Sequence, residues 1–282
     1  MPSLRRGFSQ ALALLGAGLI SFSAVRGAAS PSGISAQERN WEATAGRALY
    51  ARYAERGEIV TRQSPMYEVL LPVASAIASV AKRQYWASFH FILLNEPVPN
   101  AFSVPGGNVY VTTGMLSYLR NKDELAGVLC HEVNHDIHHD MYNVYRLTER
   151  GLQPYAYERA AEIAADRAGA YTCAKAGFNP WGMVWNMRLH RGMAQGPQIA
   201  ATADHPSDDQ RLAGLVALLT SNRATFGKFR DDAVASVPLR PGGFARSADD
   251  AVRPPQYPAP EYPQQSWPQP SPEMEPPPPP PV

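Results

Sequence analysis

The segment His131-Glu132-Val133-Asn134-His135 constrains this chain more than any other. Two histidines four residues apart can act together only if the chain between them is helical. Positions i and i+4 then lie one above the other, about 40° apart in projection. The flanks support a helix opening at Asp123, with Ala126, Cys130, Val133 and Ile137 on one apolar face and Leu125 and Leu129 beside it. Two imidazoles so placed can ligate one Zn²⁺. Glu132, turned by about 100°, can reach a water on that ion without being a ligand. A catalytic zinc needs a third protein ligand and an open position. A second expected helix, Tyr155 to Lys175 with Gly177 as its stop, carries Glu162 and Asp166 four residues apart. Glu162 is the candidate third ligand. Asp166 can hold the free ring N–H of a ligating histidine.

Both ends of the 282-residue chain read as something other than fold. Residues 1–29 combine Arg5-Arg6-Gly7-Phe8, an apolar stretch from Ala11 to about Val25, and the small residues Gly27-Ala28-Ala29. This is the pattern of an export signal, and the arginine pair also fits a twin-arginine signal. The apolar run falls short of the ~20 residues that span a bilayer. At the other end, 14 of the 29 residues from Pro254 to Val282 are proline. Such a segment buries almost nothing and lacks backbone donors, so polyproline II or disorder is expected over 229–282, linker included. The tail is a solvated extension or a docking site for a partner. The folded part is then 35–228.

Composition excludes other classes. Lys+Arg is 26 and Asp+Glu is 25, too even for a protein built around nucleic-acid phosphates. Two cysteines cannot make a disulfide-dense scaffold or a Cys-rich metal site. No G-x-S-x-G is present, and neither cysteine has a convincing catalytic histidine outside the zinc motif. Cys130 reads as a small buried hydrophobe, with a Cys130–Cys173 disulfide as the alternative. The fold class is α+β and mostly helical. Helices are expected from a Ser35 cap to about Arg56, over Pro65–Lys82 with a kink or break at Pro72, from Pro180, and over Asp208–Leu219. Strands are expected at Phe89–Leu94, Ala101–Val104 and Asn108–Thr112 around the Pro105-Gly106-Gly107 turn. His138 reads as solvent-facing, His90 as a satisfied core histidine, and Trp181 and Trp185 as core.

Several segments, in order, resemble the M48 metallopeptidases, the family of Ste24-, HtpX- and Oma1-type proteases with soluble periplasmic members. They are Asn100 to Gly107, Val109 to Leu116, Asp123 to Cys130 leading into the zinc motif, Glu162-x-x-x-Asp166-Arg167-x-Gly169, Ala176 to Pro180, and His205-Pro206-Ser207 with Arg211. The resemblance covers about 65–220. It implies a zincin-like metallopeptidase domain with a small antiparallel sheet. His131, His135 and Glu162 would be the ligands of one zinc per chain, and Glu132 the general base. A peptide would add to an edge strand near Asn100, Ala101 and Phe102. His205 would stabilise an oxyanion or cap the zinc in a resting state, supported by Arg211. Two positions depart from the family: Glu158, where many members have Ser, and Asp140, where many have His. Neither is expected to touch the ligands.

The expected function is a zinc metalloendopeptidase of the cell envelope, exported or periplasmic, acting on unfolded or misassembled proteins. Peripheral membrane association is open to it. The alternative is a non-catalytic, metal-stabilised holdase using the same cleft.

Overall fold

The computed structural model describes residues 34–193 and 208–239. The chain opens with α1 (Ala36–Glu55), started by a reciprocal cap in which the Ser35 hydroxyl accepts the Glu38 N–H and the Glu38 carboxylate accepts the Ser35 N–H. Helix α2 (Met66–Ala81) runs through Pro72 without ending there. Strands β1 (His90–Leu94), β2 (Ala101–Val104) and β3 (Asn108–Thr112) follow, then a short α3 (Thr113–Tyr118). Next come α4 (Lys122–Ile137), α5 (Asp140–Glu149), α6 (Tyr155–Ala176), α7 (Trp181–Met193), α8 (Asp208–Ser221) and a single turn, α9 (Arg223–Phe226). The protein is mostly helical, as expected.

The three strands lie in the order β1-β3-β2. The β2–β3 hairpin is antiparallel and turns at Gly106 and Gly107, whose φ values of 93° and 81° suit glycine alone. β1 pairs with β3 in parallel, His90 opposite Asn108 through Leu94 opposite Thr112. The sheet is therefore mixed rather than antiparallel throughout. The connection from β1 carries the chain past β3's place to the far edge, and the hairpin then returns β3 to the centre.

Alternation sends the strand side chains to two cores. Phe91, Leu93, Val109 and Val111 pack with α2 and α4; Ile92, Phe102, Val104 and Tyr110 pack with Leu49 of α1. A third cluster joins α6, α7, α8 and α9 around Trp181, Trp185, Leu215 and Phe226. The body continues past 228. Asp231 accepts from Trp185 Nε1 and Arg188, and Leu239 is buried in the core against α2 and α4.

Helix α4 is buried on every side from Glu124 to Asp136. It is a central helix and not one with a wet face, so its polar residues sit indoors and need partners. Glycines let its neighbours approach: a Cβ on Gly182 of α7 would stand 2.0 Å from the Asp123 carbonyl oxygen. Cys130 and Cys173 form a disulfide between α4 and α6, with Cα atoms 5.8 Å apart and both residues fully buried. The reading of Cys130 as a plain hydrophobe gives way here, because two facing helices bring the sulfurs together. No helix among the described residues is long and apolar enough to cross a membrane.

Candidate metal centre

His131 and His135 face each other one turn apart on α4, with their Nε2 atoms separated by 3.0 Å. Glu162 reaches across from α6, its Oε2 3.5 Å from His131 Nε2 and its Oε1 3.7 Å from His135 Nε2. One donor atom from each of the three lies within 4.8 Å of the others. The disulfide links the same two helices.

The far ring nitrogens are also engaged. Asp166 Oδ1 lies 3.0 Å from His131 Nδ1. Arg211 of α8 grips Asp166 with two hydrogen bonds of 2.7 and 2.8 Å, and its Nη1 lies 2.7 Å from Glu162 Oε2. One guanidinium thus fixes a candidate ligand and the carboxylate behind another. Burial raises the Glu162 and Asp166 carboxyls, but Arg211 and the histidines outweigh it and hold both below the ordinary carboxylate range. Burial likewise lowers His131, but Asp166 and Glu162 outweigh it and lift the imidazole to about 10. The cluster favours positive charge between its carboxylates.

Asp140 corrects an expectation. Its Oδ2 lies 2.8 Å from His135 Nδ1, so the family departure at this position does touch a proposed ligand. Tyr157 Oη donates to Asp140 Oδ1 at 2.6 Å, and Asn143 Nδ2 donates to Tyr157 Oη at 2.8 Å. What brings Asp140 back to α4 is His139, the one non-glycine described residue with positive φ, at 56°. That turn is held from a distance: Glu42 of α1 sits 2.7 Å from His139 Nδ1 and also accepts from Tyr85 Oη and Trp86 Nε1. Glu42, Asn143 and Tyr157 carry no sequence signal, because their roles depend on the turn at His139. Asp140 was visible as a family departure.

Glu132 lies beside the three donors with its Oε2 accepting the Ser103 N–H at 3.0 Å and its buried Oε1 without a hydrogen-bond partner among the described residues. Burial raises its carboxyl, against the pull of His131 and His135. Ser103 belongs to β2, the sheet edge beside α4. In the β2–β3 register, Phe102 and Val104 direct their backbone groups to Tyr110 and Asn108, while those of Ala101 and Ser103 point outward. Asn100 bonds back to Thr112 through both backbone groups, and the Phe102 ring stacks on Tyr110 at 5.2 Å. Of the three residues expected to meet a peptide, Ala101 alone presents its backbone to the open side.

His205 lies outside the described residues. His138 ends α4, half-buried and apart from the three donors. His90 is exposed at the start of β1 and not a core histidine, since the first position of the strand projects beyond the packed face.

Residues 62–155 match the model of peptidase family M48. A 47-residue stretch is 47% identical to the Beta-barrel assembly-enhancing protease of Yersinia pestis, covering 17% of this chain and 10% of that protein. Mitochondrial metalloendopeptidase OMA1 of Arabidopsis thaliana is 40% identical over 50 residues, 18% of this chain and 10% of the relative. OMA1 of Schizosaccharomyces pombe is 44% identical over 45 residues, 16% and 13% respectively. The chain thus aligns with about a tenth of each relative's length. Residues 62–155, with the paired histidines on their buried helix, are thus similar to peptidase family M48.

Proposed function

We propose that this protein is a zinc-dependent endopeptidase that hydrolyses unfolded or misassembled polypeptides with water and without a covalent intermediate. The observation that carries this reading is the convergence of His131, His135 and Glu162 donors within 4.8 Å, beside a buried Glu132 oxygen that has no partner among the described residues. Two imidazole nitrogens and one carboxylate are a donor set that suits zinc and leaves a position open. When bound, the ion supplies Lewis acidity, polarising a peptide carbonyl and acidifying water.

The chain's own residues do the rest. Asp166 and Asp140 fix the two rings from behind, and Arg211 holds Glu162 in place. Glu132 takes the proton of the attacking water on Oε1 and delivers it to the leaving nitrogen, a task that its raised pKa suits. The Ser103 N–H keeps Oε2 occupied, so Oε1 is the working oxygen. A substrate lies extended along the outer edge of β2, meeting the outward backbone of Ala101 and the Ser103 carbonyl. His205 stabilises the oxyanion or caps the ion at rest. The protein is exported and works in the cell envelope. The disulfide supports that placement, since such bonds persist in oxidising compartments.

The test compares wild type and Glu132→Gln on one preparation, measuring bound zinc and cleavage of casein. Glu132→Gln is expected to keep its zinc and lose cleavage. Undiminished cleavage removes Glu132 from the mechanism. Zinc without turnover in wild type, with or without a chelator, favours a non-catalytic binding protein.

A further inference from the structure

A second cleft opens at the other edge of the sheet, between α1, β1 and the segment before α2. It encloses about 510 Å³ and is lined by Arg47 and Tyr50 of α1, Arg62, Trp86, and His90 and Ile92 of β1, with no carboxylate among its lining residues. Neither arginine has a carboxylate partner among the described residues. Arg47 donates to Thr44 Oγ1 at 3.2 Å, and Arg62 lies over the Tyr67 ring at 4.6 Å. Tyr50 and Trp86 are exposed aromatics, 46% and 37% accessible.

The strand beside this cleft is only half covered. In the parallel register, His90, Ile92 and Leu94 direct their backbone groups to β3, so Phe91 and Leu93 direct theirs outward. Leu93 is satisfied there: its N–H donates to Tyr67 Oη at 3.0 Å and its carbonyl accepts the Val60 N–H at 2.9 Å. Residues 58–60 form this short antiparallel cover, with Ile59 bridged to Leu94. The cover stops before Phe91, whose outward N–H and C=O flank the cleft between His90 and Ile92. An unpaired strand edge invites another strand.

We propose that this cleft is an accessory binding site for an extended, acidic polypeptide segment. The segment continues the ladder past Phe91 and brings alternate carboxylates to Arg47 and Arg62, while Tyr50 and Trp86 cover its apolar side chains. The proposal deepens the proteolytic reading by naming a class of substrate segment held away from the bond being cut. It rests on that reading only for its effect on turnover.

The experiment uses the full-length Glu132→Gln chain loaded with zinc and two fluorescein-labelled probes, (Glu-Val)5 and (Lys-Val)5, followed by anisotropy. The glutamate probe is expected to bind, to weaken with added salt, and to outcompete the lysine probe. Arg47→Glu/Arg62→Glu should weaken glutamate-probe binding by roughly tenfold or more, through like-charge contact. The charge-matched control, Lys175→Glu/Lys228→Glu, should change it little. Equal affinity for both probes, or equal losses in both double variants, overturns the proposal. So does binding that vanishes with a zinc chelator, which would seat the probe on the metal. In the active enzyme, Arg47→Glu/Arg62→Glu should raise KM for casein and leave kcat unchanged. Probe binding in a protein that never cleaves casein would keep the cleft and discard the protease.

Discussion

Asp140 is three residues past the end of the helix that carries the motif, yet its carboxylate touches His135. A carboxylate behind a ligating imidazole fixes its tautomer and makes it a better donor. Asp140→Asn is therefore expected to weaken zinc binding by about 10- to 100-fold, measured by chelator competition, and Tyr157→Phe by less. Unchanged affinity in Asp140→Asn would mean the contact is packing only. Arg211→Ala strips the guanidinium from buried Asp166 and half-buried Glu162. Breaking a buried pair this way costs about 3–5 kcal/mol, readable as a lower urea midpoint of the metal-free protein. The candidate ligands could be read from spacing because a helix of fixed pitch ties i to i+4. Their supports could not, since Asp140 depends on a left-handed turn at His139 and Ser103 on a strand register.

The paired elements divide along the same line. Helix α1, its Ser35 cap and the glycine turn between β2 and β3 were legible because local chemistry sets them. The parallel pairing of β1 with β3 was not, because two short apolar strands carry no mark of their neighbour's direction. Helix α5 was missed because nothing in its composition announces the break at His139 that separates it from α4. The disulfide closes a separation of 43 residues between α4 and α6. Its loss in Cys130→Ser/Cys173→Ser should cost roughly 3–4 kcal/mol in the chain-entropy account. That loss is measured by urea unfolding, and zinc affinity should fall with it because both helices carry proposed ligands. A variant with unchanged unfolding would show that packing alone sets the helix spacing. Gly182→Ala should destabilise strongly, since its methyl group meets the Asp123 carbonyl oxygen.

For the molecule as a whole, two buried tyrosines and a half-buried third govern behaviour in alkali. Burial is the main cause that raises the phenols of Tyr85, Tyr110 and Tyr157. Their contribution to stability is intact below the ordinary phenol value of ~10 and is lost as pH rises above it, because the unfolded chain ionises first. The urea midpoint should accordingly fall between pH 9 and 11; a flat profile contradicts the burial argument. The folded extent was legible at its start, where Ser35 signals a cap, and less so at its end. Residues 229–239 look like a linker, yet Trp185, Asp123 and Arg120 gather them in through single polar contacts that no periodicity announces. Truncation after Ala251 should leave the unfolding temperature unchanged.

The buried sulfur bridge also imposes a history on the protein. Its two atoms are sealed once the helices close, so an oxidant must reach them while the chain is still loose. Covalent locking therefore precedes final closure of the two helices that carry the candidate ligands. A cell that supplied its oxidant only after the helices had closed would accumulate a chain that is folded but never fastened.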